Sequence, residues 1–210
     1  TMSMQLSGLL TAVVGWVATI IVCALPMWRV TNCHGSNTAA AQSYSDGLWV
    51  TCAYEGTGPS QCRNYNSLLE ITPDLQVARV MVVTSLITAF ASILVSLAGR
   101  DFASCMGGFS RNRFTAVSGA LFVAAAILIL VPVSWTTSNI LNNFYTPMVP
   151  EAVSRELGAS IYIGYIATAL LLAGGIILSR LGTQSQDSYA KNYRGVKTCG
   201  PTGYPMKDYV

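Results

Sequence analysis

The sequence predicts an α-helical integral membrane protein with four transmembrane helices and an extracellular module held by a disulfide. Only 10% of its 210 residues are charged and 52% are hydrophobic, whereas a soluble domain has about 25% charged residues. Four apolar runs, at about 8–25, 78–98, 114–133 and 159–178, each approach the roughly 20 residues that a helix needs to cross a bilayer. A surface with so few charges indicates lipid as the surrounding solvent.

The apolar runs contain no Asp, Glu or Lys. Arg79 lies near the first residue of the second run, where its aliphatic stem can extend along the helix and place the charge in water. Buried helices of a soluble bundle would show a polar stripe, which these runs lack. The chain therefore divides into alternating spans and loops. In order, these are the amino terminus with the first span (1–27), the first extracellular loop (28–77), the second span (78–98), a cytosolic loop (99–113), the third span (114–134), the second extracellular loop (135–157), the fourth span (158–180) and a disordered cytosolic tail (181–210).

The distribution of basic residues predicts the orientation of the spans. Of the 12 Lys and Arg residues, eight lie in the middle loop and the tail when Arg180 at the border of the fourth span is included. The two outer loops hold four, with Arg79 at the border of the second span, together with six acids. By the positive-inside rule, both termini and the middle loop lie in the cytosol. The net charge of +3 is then a topology signal, and no basic patch interleaved with aromatic residues indicates a nucleic-acid partner.

The first extracellular loop is too long to be a bare connector and should hold its own structure. Segments 28–30 and 48–54 are rich in β-branched and aromatic residues and are predicted strands, while 32–45 is either a strand or a mobile loop. Segment 65–79 suits a short helix interrupted near Pro73. In the second extracellular loop, the two prolines of 144–150 favour an extended segment that can lie as an edge strand.

The cysteines agree with this topology. Cys52 and Cys62 fall in the first outer loop, and the Gly and Pro residues between them favour a hairpin turn. The two are predicted to pair with each other, which would stabilise the loop by roughly 3 kcal/mol, because a zinc site would need more ligands. Cys33 is left over outside the membrane and is either an unpaired thiol or a bond between chains.

No pattern of catalytic residues is present. His34 is the single histidine, no acid or serine stands at a persuasive spacing from it, and the chain has no His-Glu-x-x-His, Cys-x-x-Cys or phosphate-binding glycine loop. No carboxylate lies at membrane mid-depth, which argues against a proton-coupled transporter. The sequence predicts no enzyme activity, no metal and no cofactor.

The first loop carries a specific motif. Trp28 is followed by Gly47-Leu48-Trp49, then by Cys52 after two intervening residues and by Cys62 after nine more. This spacing resembles the signature of the claudin family, and Val-Pro-Val-Ser-Trp at 131–135 and Tyr-Val at 209–210 fit the same family. Within it, the chain looks closest to barrier-type members, some of which are receptors for a clostridial enterotoxin.

The resemblance implies a left-handed four-helix bundle that carries a five-stranded antiparallel sheet, with four strands from the first loop and one from the second. It also implies polymerisation with itself and other claudins, in cis and in trans, into tight-junction strands that control paracellular ion permeability. Leu68 matches the position that inserts into a neighbouring subunit, with a receiving pocket of Phe144, Tyr145 and Leu157. Local packing of Leu68 within its own chain is the alternative.

Two charges bear on ion selectivity under this resemblance. Glu55 falls where cation-selective members carry an acid, and Arg63 falls where barrier or anion-preferring members carry a base. A fixed charge in a narrow aqueous path favours counter-ions, so the charge that faces the path should dominate, and two facing charges should neutralise each other. The sequence favours Arg63 and a barrier; the alternative is that both are solvated surface charges.

Three further predictions concern partners and anchoring. The terminal Asp208, Tyr209 and Val210 are typical of ligands that PDZ scaffold proteins bind by strand addition. Cys105 is the palmitoylation candidate, but the second cysteine of the family's usual pair is replaced by Phe102, so lipid anchoring by acylation is in doubt. The toxin-contact segment consists of Thr146, Pro147, Met148, Val149 and Pro150, and enterotoxin binding should be weakened because Thr146 stands where receptor members carry Asn.

A channel-regulatory or myelin-type tetraspan is the alternative to a claudin, because such proteins share the four-span plan and the Gly-Leu-Trp-x-x-Cys motif. They are often N-glycosylated in the first loop. Neither outer loop of this chain contains an Asn-x-Ser/Thr sequence, and the Tyr-Val ending also favours the claudins.

Overall fold

A computed structural model describes residues 2–33, 42–56, 58–101, 108–145 and 153–196 of the chain. Four long helices and five short strands form this part of the protein. The helices are α1 (Met2–Ala24), α2 (Pro73–Asp101), α3 (Gly108–Tyr145) and α4 (Ala159–Val196), and a 3₁₀ helix (Leu68–Glu70) precedes α2. The strands are β1 (Arg29–Cys33), β2 (Gln42–Asp46), β3 (Val50–Glu55), β4 (Gln61–Asn64) and β5 (Val153–Leu157).

Each long helix contains a segment that is long and apolar enough to cross a membrane: Ser3–Ala24, Pro73–Arg100, Arg111–Asn143 and Ala159–Ser188. Large apolar side chains also cover the outer surface of the bundle, among them Leu10, Ile87, Ile127 and Ile166. A helix that is hydrophobic all round needs lipid on the side that faces away from its neighbours. The prediction of four membrane spans is confirmed.

Small residues allow α4 to approach both α1 and α3 closely. At Gly119 in α3, an added Cβ would meet the backbone nitrogen of Ser179 and lie 2.6 Å from the carbonyl oxygen of Gly175 in α4. On the opposite side of α4, a Cβ on Gly174 would meet Ala12 at 2.8 Å. Close backbone approach of this kind drives helix association in lipid, where burial of apolar surface gains little.

Hydroxyl groups join α2 to α3 inside the bundle. Ser85 donates to the carbonyl of Ala125 at 2.7 Å, and Ser92 donates to the carbonyl of Ser118 at 2.6 Å. Both serine side chains are fully buried, so each hydroxyl would be costly without its acceptor. These contacts fix which faces of α2 and α3 meet.

The five strands form one antiparallel sheet in the order β4-β3-β2-β1-β5. Four strands lie between α1 and α2 and the fifth between α3 and α4, which confirms the expected composition. In the β3–β4 pair, Cys52 stands directly opposite Cys62, and the two form the predicted disulfide.

The edge strand of the second loop lies later in the chain than the prolines of 144–150 suggested. β5 is Val153–Leu157, which pairs with β1 along its whole length. Proline cannot donate to a strand ladder, whereas every residue of Val153–Leu157 has a backbone N–H. Residues 146–150 lie outside the described part of the chain.

The helices are longer than the apolar runs that predicted them. α2 begins at Pro73 instead of 78, and α3 continues to Tyr145, so residues 135–145 are helix and not loop. Pro73 suits the first position of a helix, because its missing N–H would have no partner there. Hydropathy measures only the length in contact with lipid, and the helical hydrogen bonds continue into water at both ends.

The tail prediction was also wrong for its first part. Residues 181–196 continue α4, although this segment has no apolar periodicity. Extending a helix adds one hydrogen bond per residue fixed and needs no new nucleus, and Gln184, Gln186, Ala190 and Lys191 are good helix formers. Residues 197–210 lie outside the described part.

Replacing Gly119 by alanine should destabilise the bundle, because the added methyl group would press on the α4 backbone. Helix propensity alone would favour the alanine by about 1 kcal/mol, so a net loss of about 1–3 kcal/mol measures the steric contact. The matched control is Gly58→Ala, since a Cβ on Gly58 would meet nothing within 4 Å. Thermal midpoints of the purified variants in detergent test this, and equal midpoints would contradict it.

Candidate functional site: a sheet seated on the helical bundle

The sheet has two distinct faces, since directly opposed residues in neighbouring strands point to the same side. We call one side the polar face. Its described charged residues are Arg29, Asp46, Glu55, Arg63 and Arg155. The other side, the disulfide face, carries Val30, Ser45, Cys52, Cys62 and Glu156 in one row.

Trp28 connects α1 to the sheet. Its side chain is fully buried, and its indole N–H donates to the carbonyl of Val22 at 2.9 Å. Its backbone N–H donates to the carbonyl of Asp46 at the end of β2. A large aromatic residue with one polar group is suited to this border between core and backbone, so Trp28 fixes the angle at which the chain leaves the membrane.

Gly158, directly before α4, packs against the backbone of Met27 and Trp28. Its N–H donates to the carbonyl of Trp28 at 3.3 Å, and an added Cβ would collide with the carbonyl of Met27. The start of α4 therefore packs backbone to backbone against the end of α1. The helices α1 and α4, which precede β1 and follow β5, are therefore held together where the sheet meets the bundle.

The Gly47-Leu48-Trp49 turn seats the sheet on α2. Leu48 is fully buried, and Arg79 donates to its carbonyl through Nε at 3.0 Å and also through Nη2. The guanidinium of Arg79 lies 4.3 Å from the centre of the Trp49 ring, a cation–π contact that adds to the hydrogen bonds. At Gly47, a Cβ would collide with the backbone of Pro26, which explains why the turn begins with glycine.

Tyr65 holds the same turn from the other side. Its hydroxyl donates to the carbonyl of Gly47 at 3.1 Å. Burial, followed by the nearby carboxylate of Asp46, raises the pKa of Tyr65 to about 12. The phenol therefore remains protonated at physiological pH and keeps its hydrogen bond.

Sequence reasoning missed these roles of Arg79 and Tyr65. Arg79 had one visible signal, a single base at the mouth of an apolar run, which predicted snorkelling toward water and not a bond to the sheet. Tyr65 had no signal, because its partner lies 18 residues away in another element.

The two selectivity candidates, Glu55 and Arg63, both belong to the polar face. Arg63 is opposite Thr51, four residues before Glu55 on β3, which separates the two charges by about 13 Å along the strand. Arg63 forms an ion pair with Glu70 of the 3₁₀ helix. Among the described residues, the carboxylate of Glu55 accepts a long hydrogen bond, 3.5 Å, from the side chain of Gln42.

The assembly candidates are spread over three elements. Leu68 begins the 3₁₀ helix and Phe144 lies near the end of α3, but their side chains are outside the described part. Tyr145 is 82% exposed. Leu157 in β5 is half-buried against the core, so it already has packing partners within its own chain. Leu69, which the sequence did not single out, is 96% exposed.

Several predicted site residues lie outside the described part of the chain, and their predictions stay predictions. They are Cys105, the segment Thr146, Pro147, Met148, Val149 and Pro150, and the terminal Asp208, Tyr209 and Val210. Among the residues that the structure does describe, no group of three or more His, Cys, Asp or Glu side chains is arranged to hold a metal ion.

Comparison with known proteins identifies this architecture. Residues 2–178 match the PMP-22/EMP/MP20/Claudin family, whose name covers both the claudin interpretation and the myelin-type alternative. Human claudin-3 is 41% identical over the full length of both chains. Claudin-4 of Chlorocebus aethiops is 39% identical over 97% of this chain and 99% of its own.

Human claudin-6 is 41% identical over 99% of this chain and 98% of its own. These relatives distinguish between the branches that the family name combines. The chain belongs to the PMP-22/EMP/MP20/Claudin family and, within it, is a claudin, a structural four-span protein of the tight junction and not an enzyme.

Proposed function

We propose that this claudin forms tight-junction strands that act as a paracellular barrier more than as an open pore. The carrying observation is the mixture of charges on the polar face, which we place along the path between cells. A pore that selects ions needs fixed charges of one sign along its path. The described residues of this face do not form a continuous row of charges of one sign.

Most charges on the polar face are compensated close by. Arg29 and Asp46 are directly opposite on β1 and β2, and Arg63 is paired with Glu70. Glu55 and Arg155 are exposed and have no oppositely charged partner within the described residues. They are three strands apart, about 14 Å or more, which exceeds the Debye length of about 8 Å.

The consequence for ions is a path with regions of both signs. Because Glu55 and Arg155 are too far apart to cancel each other, each acts on ions within its own surroundings. A cation is repelled near Arg155 and an anion near Glu55, so neither sign meets a continuously favourable route. This arrangement supports a barrier, whereas removing charges of one sign should turn it toward a selective pore.

We propose that the sheet lies outside the cell and that both termini lie in the cytosol. Eight of the 12 basic residues lie in the middle loop, in the tail or at its border with α4, and basic segments are retained in the cytosol. The disulfide between Cys52 and Cys62 also suits the oxidising outer compartment.

Lateral assembly in cis is proposed to use the 3₁₀ helix with Leu68 and Leu69 on one chain and the end of α3 with Phe144 and Tyr145 on the next. Leu69 is 96% exposed and lies beyond the membrane spans. An apolar side chain left in water there is a candidate contact with another copy or another claudin.

The remaining partners follow from the family and the sequence. Asp208, Tyr209 and Val210 are proposed to bind PDZ scaffold proteins by strand addition. Enterotoxin binding is proposed to be weak, because Thr146 precedes Pro147. Membrane lipids surround the four spans.

Charge substitutions on the polar face should change ion selectivity in opposite directions. Arg63→Glu should raise the sodium-to-chloride permeability ratio and Glu55→Gln should lower it, each by a factor of about two to five, because a unit charge at 4 Å in water contributes about 1 kcal/mol. Dilution potentials across epithelial monolayers measure the ratio. Glu156→Gln removes an acid from the disulfide face and is the matched control, expected to leave the ratio unchanged. An unaltered ratio in Arg63→Glu would remove this side chain from the ion path.

Substituting Leu69 should impair strand formation without preventing folding. Leu69→Asp places a charge in the proposed contact, so fibroblasts that lack tight junctions should deliver the variant to the surface but show few or no continuous strands by freeze-fracture. Val77→Ala, at an exposed position on α2 facing lipid, is the control and should form normal strands. Normal strands from Leu69→Asp would refute the proposed contact.

A further inference from the structure

A basic pocket lies at the end of the bundle opposite the sheet. It is lined by Ser3, Gln5 and Leu6 of α1, Arg100 of α2 and Arg111 of α3, and has a volume of about 320 Å³. α1 begins at this end and leads toward the sheet, while α2 leads away from the sheet and ends here. Three helices therefore supply one pocket from parts of the sequence that are far apart.

The polar groups around the pocket are suited to an anion that accepts several hydrogen bonds. Each arginine presents N–H groups in a planar fork that matches the oxygens of a phosphate. Ser3 adds a hydroxyl and Gln5 an amide. No carboxylate is among the described residues that line the pocket.

The two positive charges have no counter-charge in the described part of the chain. Neither Arg100 nor Arg111 forms an ion pair there, and the first turns of α1 and α3 contain no acid. Two uncompensated guanidinium groups beside one cavity favour an anionic ligand.

Leu6 indicates that the anion belongs to a lipid. It is an exposed apolar side chain on the first membrane span and also lines the pocket. A soluble phosphate would gain no binding energy from an apolar side chain on a membrane span. A phospholipid has a phosphate at this depth and an acyl chain that can follow the surface of α1.

We propose that the basic pocket binds the phosphate of an anionic phospholipid, with Arg100 and Arg111 as the two main ligands. In the orientation given under Proposed function, on which this assignment of leaflet rests, the lipid belongs to the cytosolic leaflet. Basic pockets between spans on that side are suited to anionic headgroups. The bound lipid would join the ends of α1, α2 and α3.

Lipid competition in nanodiscs tests the proposal on the full chain. The probe is phosphatidic acid in phosphatidylcholine discs, and bound lipid is measured by native mass spectrometry. The wild type should prefer phosphatidic acid by about tenfold or more, because two basic residues contact the charged headgroup, and Arg100→Gln and Arg111→Gln should each lose most of this preference. Arg180→Gln, which removes an exposed base of α4 outside the pocket, should retain it.

Three outcomes would overturn the proposal. A wild type without preference has no such site, and an equal loss in Arg180→Gln shows attraction by overall charge only. Glycerol 3-phosphate competing as strongly as the lipid shows a site for free phosphate. If a glutamine variant fails to fold, as judged by its thermal midpoint, lysine at the same position replaces it. Lysine keeps the positive charge but lacks the planar guanidinium, so the preference for phosphatidic acid should be intermediate. An unchanged preference would exclude bidentate binding by the arginine. Nanodiscs offer lipid to both ends of the protein, so the result does not depend on membrane orientation or strand formation.

Discussion

The contact between Arg79 and the Leu48 turn is the constraint on which the position of the sheet depends. An arginine at the border of the hydrocarbon needs acceptors for its guanidinium and apolar surface for its stem, and a buried carbonyl needs a donor. Leu48 supplies the carbonyl and Trp49 the aromatic surface. Without this hydrogen bond, the guanidinium of Arg79 would lack an acceptor and the carbonyl of Leu48 would lack a donor. The bond therefore removes the desolvation cost of both groups and fixes the position of the sheet on α2. Anchoring of the sheet to the bundle thus explains the motif residues Gly47-Leu48-Trp49.

Trp28 provides a second contact between the sheet and the bundle. Because the two contacts are separate, the sheet cannot rotate about either one. The indole of Trp28 binds α1 while its backbone binds β2 and Gly158. Electrostatic selection depends on charges that stay at fixed distances from the ion path. The function proposed for the polar face therefore requires the contacts that hold the sheet on the bundle. The disulfide adds to this by tying the edge strand β4 to β3.

How far the sequence predicted the structure follows from the range of each interaction. Spans depend on the local number of apolar residues, and the disulfide depends on two rare residues ten positions apart, so both were predicted correctly. The ends of α3 and α4 were not, because helical hydrogen bonds continue where hydropathy stops. Arg79 and Tyr65 acquire their roles from partners far away in the sequence, and no local pattern records such partners. Even the family motif named Leu48 without its reason, which is that its side chain is fully buried while its backbone carbonyl accepts from Arg79.

The edges of the sheet bear on how such a protein can polymerise without aggregating. β4 and β5 are both edge strands, and an unpaired edge is a template for any extended chain. Both edges are short, and each carries an exposed arginine, Arg63 on β4 and Arg155 on β5. A charged side chain on a short edge strand resists indiscriminate strand addition, because a flat edge-to-edge pairing would take the charge out of water. Specific assembly must then rely on side-chain contacts beside the sheet, and the exposed Leu69 next to the β4 edge is the kind of contact that this constraint leaves available.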